Sequence, residues 1–588
     1  MLGTFTLALL LRLIFVFQWS GTPYAEAPLL DAKCYDDWAQ AIASGEIFRS
    51  TAFYQSPLFP YILALIYRVF GHNLLVVGLF NALLGAGTAA LLTSLTLTYF
   101  GRGAAIVTCL IAAFYRSFIF YTAPVMKEPL GLFLLALFLL LALRALHQNK
   151  TRDHFYSGAL LGLGALVRSN VLLFMPVFLA FAYFKERRGI VRKSAVFIAG
   201  AMLFIAPATL HNYMASRDFV LINYLAGFNL YIGNSPTANG TNAYPPEVST
   251  DPVQEEITTA WIARRETGRD LRPSEISAYW RGLALDFIET HPWKTITLLM
   301  TKTLAFWNTS EGFDSYDIPF IEKNFNTLLK GPLIPFWVVS FLAAFGAVAA
   351  GRARRYSAFV LVVFALVYMV SVLPFFVTDR YRLPVVLFLL PLAGAALPSL
   401  LALVRAKKWP QLIGACALAL FFLFLGLRPD PNAVDMTAFN WGTLSAIYAD
   451  EGRNAEALES LHKGLAIGPE LMGFQPIIRG SYVYERLGNH DEAERLLKMA
   501  MTYYPQDGHA YYSYGRFKAA RGDLQGALAS FEKAIELTPV FDLSYYALAR
   551  IYEQLNKRDQ AIKALKRGLV INPHNTRLKK ALEEFQKK

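Results

Sequence analysis

Long apolar blocks recur along the chain as far as Leu427, separated by short basic segments and by two longer polar stretches. A bilayer's hydrocarbon core is matched by roughly 20 apolar residues in a helix. On that measure the blocks predict helices near residues 2–19, 74–99, 104–121, 129–146, 155–167, 170–184, 194–213, 332–350, 357–376, 383–404 and 409–427. About eleven membrane helices result, with residues 20–73 and 214–331 left as long loops. Beyond residue 428 the apolar positions instead recur at the helical spacing of a water-soluble, amphipathic sequence. The expected fold is therefore all-α: a polytopic membrane helix bundle over 1–428, then a soluble helical domain over 429–588.

That soluble part is periodic. Gly452, Gly488, Gly522 and Asn556 mark one position in four successive units, and Ala457, Ala493, Ala527 and Ala561 mark a second. Pro469, Pro505, Pro539 and Pro573 mark a third. Each unit reads as helix, tight turn, helix and proline stop, as in Tyr484 to Ala493. Glycine or asparagine tolerates the turn, alanine lets the paired helices approach, and proline ends the second helix. Units of about 34 residues with these features resemble tetratricopeptide repeats. The resemblance implies an α-solenoid with a concave groove for an extended peptide or partner protein. A rigid spacer without a ligand is the competing expectation.

Composition narrows the classes further. Of 588 residues 55% are hydrophobic and 17% charged, against roughly a quarter charged in soluble domains. The net charge of +13 lies in the membrane part, because residues 429–588 hold 21 Lys+Arg against 20 Asp+Glu. Nucleic-acid binding is not supported by that distribution. The basic residues Arg102, Arg144, Lys150, Arg152, Lys185, Arg187, Arg188, Arg192, Lys193, Arg352, Arg354, Arg355, Arg405, Lys407 and Lys408 fall in alternate loops, marking the cytoplasmic side. The opposite short loops carry only Lys127, Arg168, Arg380 and Arg382. Both long loops and the repeats are then expected outside the cytoplasm.

Helix one lacks a basic n-region, is interrupted by Arg12 and is followed by Pro28, so a retained helix is expected rather than a cleaved leader. Arg12 itself reads either as a pairing inside the bundle or as part of an anionic site. Cys34, Cys109 and Cys416 have neither disulfide nor zinc-ligand spacing.

Chemistry concentrates in the outer segments. Asp31, Asp36 and Asp37 follow the first helix, where a carboxylate could take a proton from a hydroxyl. Taken alone, acidic residues in an exposed loop are ordinary. The run Asp31, Tyr35, Ala39, Gly45, Pro57-Leu-Phe-Pro60 and Arg68-Val-Phe-Gly71 resembles the opening of GT-C glycosyltransferases, within them the dolichyl-phosphate-mannose–protein mannosyltransferase-like enzymes of glycosyltransferase family 39. Glu128-Pro129, Gly162-Leu-Gly-Ala-Leu-Val-Arg168, Gly227 to Pro236 and Asp379-Arg380-Tyr381-Arg382-Leu-Pro384 follow in family order, covering most of residues 1–405. Where many relatives show Asp-Glu, this chain has Asp31-Ala32.

The resemblance implies sugar transfer, with inversion, from a polyprenyl- or dolichyl-phosphate donor to a protein, glycan or lipid acceptor at the extracytoplasmic face. Such a donor needs no nucleotide pocket, and no Gly-rich phosphate loop is present. On this reading Asp31 is the general base and Glu128 assists. Arg380 and Arg382 contact phosphate, Arg168 is a third candidate, and Asp36, Asp37, Lys127 and Tyr381 complete the substrate contacts. No cofactor and no metal ligand is assigned, although a divalent cation, Mg2+ or Mn2+, remains compatible. The combination with repeats also resembles eukaryotic transmembrane-and-TPR O-mannosyltransferases, whereas Gly233-Asn-Ser-Pro236 looks bacterial and favours an inner-membrane location. A non-enzymatic membrane-anchored TPR scaffold and a transporter are the rival classes. Convergence of Asp31, Glu128 and Arg380/Arg382 on one cavity would distinguish the transferase.

Overall fold

The computed structural model describes residues 1–185, 187–241, 244–245, 247–248, 252–309, 314–350, 355–429, 435–572 and 575–587. Arg352, Arg354 and Pro573 lie outside the described residues. The chain is all-helical and forms two compact units, Met1–Pro252 with Glu266–Ala433, and Val253–Arg265 with Val434–Lys588.

In the first unit, seven helices among the described residues are long and apolar enough to cross a membrane: Leu2–Trp19, Leu74–Phe100, Glu128–Gln148, Ile190–Ser216, Arg355–Val372, Asp379–Arg405 and Trp409–Leu427. Shorter apolar helices occupy Leu58–Phe70, Arg102–Phe114, Ser169–Lys185 and Phe336–Ala349. Two departures from the expected layout stand out. The expected helix 104–121 breaks at Tyr115, which turns extended (φ −67°, ψ 119°). There Arg116 N–H donates to the Ile334 carbonyl and Ile334 N–H donates to Phe114, a tertiary bridge that takes over helix hydrogen bonds. The stretch expected as loop 20–73 contains two helices, Asp31–Ala43 and the apolar Leu58–Phe70.

Arg12 is fully buried, donating to the Ala8 and Ala112 carbonyls. An added Cβ on Gly85 would collide with its side chain, so the missing side chain at 85 makes room for the guanidinium. Arg12 therefore pairs inside the bundle.

The helix Thr151–Ala165 packs against Ile190–Ser216 with backbone nearly touching backbone. A Cβ at Gly158 or Gly162, four residues apart on one face, would strike the carbonyls of Phe197 and Ala201, and one at Gly200 would strike Phe155. Small residues at this spacing let membrane helices approach closely enough for packing to hold them. Because the obstacle is backbone, Gly158→Ala or Gly162→Ala must part the helices. A loss of about 1–3 kcal/mol is expected from such overpacking, read as a lowered Tm of the detergent-solubilised protein. Unchanged Tm in both variants would show that the two helices separate freely.

The second unit contains four helix pairs, Thr437–Asp450 with Asn454–Ile467, Phe474–Arg486 with His490–Tyr503, Gly508–Ala520 with Leu524–Leu537, and Asp542–Gln554 with Arg558–Ile571, followed by Thr576–Lys587. The turn residues adopt left-handed backbone, with φ of +76° at Gly452, +76° at Gly488, +81° at Gly522 and +58° at Asn556. Asparagine serves as the fourth because it tolerates this region better than other side-chain-bearing residues. Ala457, Ala493, Ala527 and Ala561 are each 0% exposed, as a close-packed helix pair requires.

Candidate active site

Asp31 is the first residue of the helix Asp31–Ala43, not part of an irregular loop. Leu30, just before it, sits at φ +47° and ψ −117°, a conformation that costs a residue with a side chain on the order of 1–3 kcal/mol. The strain thus falls directly beside the expected base. Asp31 Oδ2 accepts a hydrogen bond from Arg380 Nη1 at 2.6 Å, and Oδ1 accepts one from Gln55 Nε2 at 3.2 Å. Burial opposes the charge on Asp31, but Arg380 and Lys127 outweigh it and hold its pKa below the ordinary carboxylate value. The group is ionised at neutral pH.

Glu128 opens the helix Glu128–Gln148, with Pro129 in the first turn where a missing N–H does no harm. Its Oε1 accepts from Arg168 Nη2 at 3.0 Å and lies 3.6 Å from Arg380 Nε. Lys127 precedes it, its ammonium 5.3 Å from the centre of the Tyr35 ring. Burial, and after it the neighbouring Arg168, push the Lys127 pKa down to about 8. The Tyr381 ring has the guanidinium carbons of Arg168 at 4.9 Å and Arg380 at 5.4 Å, so one aromatic side chain steadies two cations.

One participant went unpredicted. Asp314 lies in the segment between the helices Pro292–Trp307 and Ile318–Asn324, and its Oδ2 is 2.9 Å from Arg380 Nε. Thr378 Oγ1 donates to the same oxygen at 3.1 Å. A lone aspartate has no motif spacing to announce it. The only hint in the sequence is its position between aromatic residues, Phe313 and Tyr316.

Asp31, Glu128, Lys127, Arg168, Arg380 and Tyr381 are therefore brought together. Asp36, Asp37 and Arg382 are committed elsewhere. Asp36 accepts from the Tyr67 hydroxyl at 2.5 Å and Gln40 Nε2 at 3.0 Å, and pairs with His72 Nε2 at 2.9 Å, tying its helix to Leu58–Phe70. Asp37 pairs with Lys33 on the exposed face. A helix turns about 100° per residue, so Asp31 and Tyr35 share one face while Asp36 and Asp37 point to others. The same rotation puts Arg382 some 200° from Arg380. Fully buried, Arg382 pairs with Asp379 at 2.9 Å, donates to the Asn308 carbonyl and covers the Phe336 ring at 4.6 Å.

The carboxylates do not fit a metal ion in this arrangement. Asp31, Glu128 and Asp314 converge on a guanidinium, whereas a hard cation needs several oxygens turned toward one point. Among the described residues no cluster of three His, Cys, Asp or Glu side chains has that form.

Lys127, Glu128 and Arg168 also head a narrow cleft that continues among Leu132, Leu135, Phe138, Leu161, Val171 and Leu383. Its lining is almost wholly apolar below the charged head. Glu128 Oε2 and Arg168 Nη1 are buried and lack a hydrogen-bond partner among the described residues. Buried polar atoms without partners are costly and rare, and these two belong to residues that line the cleft. As it stands the cleft has a volume of only about 20 Å³, room for little more than a water.

Residues 54–211 match the protein-family description "Dolichyl-phosphate-mannose-protein mannosyltransferase", and residues 518–584 match "Tetratricopeptide repeat". The protein O-mannosyl-transferase Tmtc1 of Drosophila melanogaster is 30% identical over 123 residues, which is 20% of this chain and 14% of that protein. The chain thus matches about one seventh of that relative's length. Among solved structures, that of MamA is 21% identical, covering 26% of this chain and 83% of MamA, with a TM-score of 0.23. Pseudomonas aeruginosa pilF is 18% identical, covering 26% of this chain and 68% of its own, with a TM-score of 0.24. With a stretch similar to mannosyltransferases in its membrane part and tetratricopeptide-like repeats at its C-terminus, the chain fits the description of a GT-C-type transferase joined to a TPR array.

Proposed function

We propose that the membrane unit transfers a sugar from a polyprenyl- or dolichyl-phosphate donor to an acceptor hydroxyl on the extracytoplasmic side of a membrane, by a single inverting displacement. The observation that carries this reading is the buried network in which Asp31 meets Arg380 and Glu128 meets both Arg380 and Arg168, with Lys127, Glu128 and Arg168 also lining an apolar cleft. Asp31 takes the acceptor's hydroxyl proton as the acceptor oxygen bonds to the anomeric carbon. The bond from that carbon to the phosphate oxygen breaks, and the phosphate leaves with the electron pair. Arg380, Arg168 and Lys127 stabilise the charge gathering there. The first prenyl units of the donor enter the apolar cleft only as its walls part, since its free volume is about 20 Å³. Because a guanidinium already neutralises the carboxylates, the reaction proceeds without a divalent cation. The basic loops support an orientation with residues 429–588 and Asp31 outside the cytoplasm, and the bacterial look of Gly233-Asn-Ser-Pro236 supports an inner-membrane location. The repeats hold a protein acceptor or partner.

The test is incubation of the purified full chain in nanodiscs with labelled polyprenyl-phosphate hexoses and pentoses and with extracytoplasmic protein as acceptor. Expected are labelled acceptor and free polyprenyl phosphate in equal amounts, unchanged by EDTA. Failure to consume any of these donors would overturn the reading in favour of a membrane-anchored TPR scaffold. Activity abolished by EDTA and restored by Mn2+ or Mg2+ would overturn the metal-free part alone.

A further inference from the structure

Charge balance around Arg380 bears on how a donor can enter. Three carboxylates, Asp31, Glu128 and Asp314, face three cations, Arg380, Arg168 and Lys127, and the set is neutral when every group is ionised. All lie in a buried site, where uncompensated charge is disfavoured. A phosphodiester brings one further negative charge that it cannot shed, since it stays ionised throughout the physiological range. The site can restore neutrality only by taking up a proton, and the carboxylate with the weakest claim to its charge will take it.

That carboxylate is Asp314. Asp31 has a short charged hydrogen bond from Arg380 and a second from Gln55. Glu128 has a charged hydrogen bond from Arg168. Among the described residues Asp314 has only neutral donors, the Thr378 hydroxyl at 3.1 Å and the Ser315 hydroxyl at 3.5 Å, and the nearby Arg380 Nε, whose N–H is not aligned on it and makes no hydrogen bond there. The groups facing it are Arg380 and Tyr381 from the Asp379 helix, Asp31 from its own helix, Glu128 from the next and Tyr121 from the segment between. Burial first, then Asp31 and Glu128, raise its pKa above the ordinary carboxylate value despite Arg380, in the opposite sense to Asp31. Two carboxylates on one guanidinium are thereby separated into one that stays ionised and one that accepts a proton.

We propose that Asp314 is the proton-accepting counterion of this site, taking one proton from solvent when the donor's phosphodiester binds beside Arg380. The proposal rests on the lipid-phosphate reading above. Asp314 acts through Arg380 and is a positioning residue: protonated, it relaxes its hold on the guanidinium, which turns its charge to the phosphate. Asp31 meanwhile remains ionised for the acceptor's proton. Donor affinity therefore falls as pH rises above the Asp314 pKa.

The experiment is calorimetric titration of the full chain in nanodiscs with a ten-carbon prenyl phosphomannose, in buffers of differing ionisation enthalpy. Measurements between about pH 5.5 and 7 keep Lys127, with its pKa of about 8, mostly charged, and comparison with Asp314→Asn removes the small uptake it adds near pH 7. The expected result is uptake approaching one proton per donor bound, with affinity falling up to tenfold per pH unit at the upper end. Asp314→Asn should bind the same probe with uptake near zero and a flat pH dependence, and Asp314→Glu should recover the uptake. Binding by the wild type without proton uptake overturns the proposal, as does undiminished uptake by Asp314→Asn. Total absence of wild-type binding to this probe and to the longer polyprenyl phosphosugars overturns the lipid-phosphate reading itself, and this proposal with it.

Discussion

Asp31→Asn should lower kcat by about 10²–10⁴-fold, the usual consequence of removing a general base, while leaving the donor's KM unchanged or lower. Asparagine keeps the shape and one oxygen, which can still accept from Arg380; its amide nitrogen cannot accept from Gln55 Nε2, so that second contact is kept only if the Gln55 amide turns its oxygen toward residue 31. The change removes the negative charge that draws the acceptor's proton. It also removes a competitor for Arg380, and for that reason donor binding should not weaken. The split between kcat and KM distinguishes loss of chemistry from loss of the site. Steady-state kinetics on monodisperse protein, with thermal unfolding alongside, provides the check. Near-normal turnover by Asp31→Asn would transfer the base role to Glu128 or Asp314, the two other carboxylates within reach of the same guanidinium.

The parts of this fold that could be read from the sequence are those determined by local chemistry. Gly452, Gly488, Gly522 and Asn556 announce left-handed turns because few other residues accept that backbone, and the structure has positive φ at all four. The seven long apolar helices follow from hydropathy because the bilayer, not a neighbouring segment, sets their length. Hydropathy could not show the break at Tyr115, whose cause is hydrogen bonding to Ile334, over two hundred positions away. The helical character of Asp31–Ala43 was also hidden, and with it the assignment of the acids. Once 31–43 is a helix, its rotation alone separates Asp31 and Tyr35 from Asp36 and Asp37. The contact of Asp36 with Tyr67 and His72 is what a buried acid on a second face requires. Asp314 depended on tertiary structure entirely. It reaches Arg380 because its segment folds against the start of the Asp379 helix, and nothing near 314 in the sequence encodes that partner.

The same rotation gives the two arginines of Arg380-Tyr381-Arg382 opposite expected phenotypes. Arg380→Gln should cost about 10²–10³-fold in kcat/KM for the donor, the scale seen when a group stabilising transition-state charge is removed. Arg380 touches Asp31 at 2.6 Å and Asp314 at 2.9 Å, so its loss also leaves two acids without their cation. Arg380→Lys keeps the charge and separates the two effects: it should restore folding fully and activity in part, because an ammonium cannot reproduce the planar fork. Arg382 has no path to the donor. Its guanidinium pairs with Asp379, a residue 2% exposed, and Arg382→Gln leaves that buried carboxylate uncompensated. A loss of about 3–5 kcal/mol in stability is expected from such a broken pair, with poor expression, yet with near-normal donor kinetics per folded molecule. Tm and kcat/KM measured on both variants decide the assignment. Wild-type kinetics in Arg380→Gln would reduce that residue to an anchor at the helix start. A selective kinetic defect in a fully stable Arg382→Gln would place the phosphate on the opposite face of the helix.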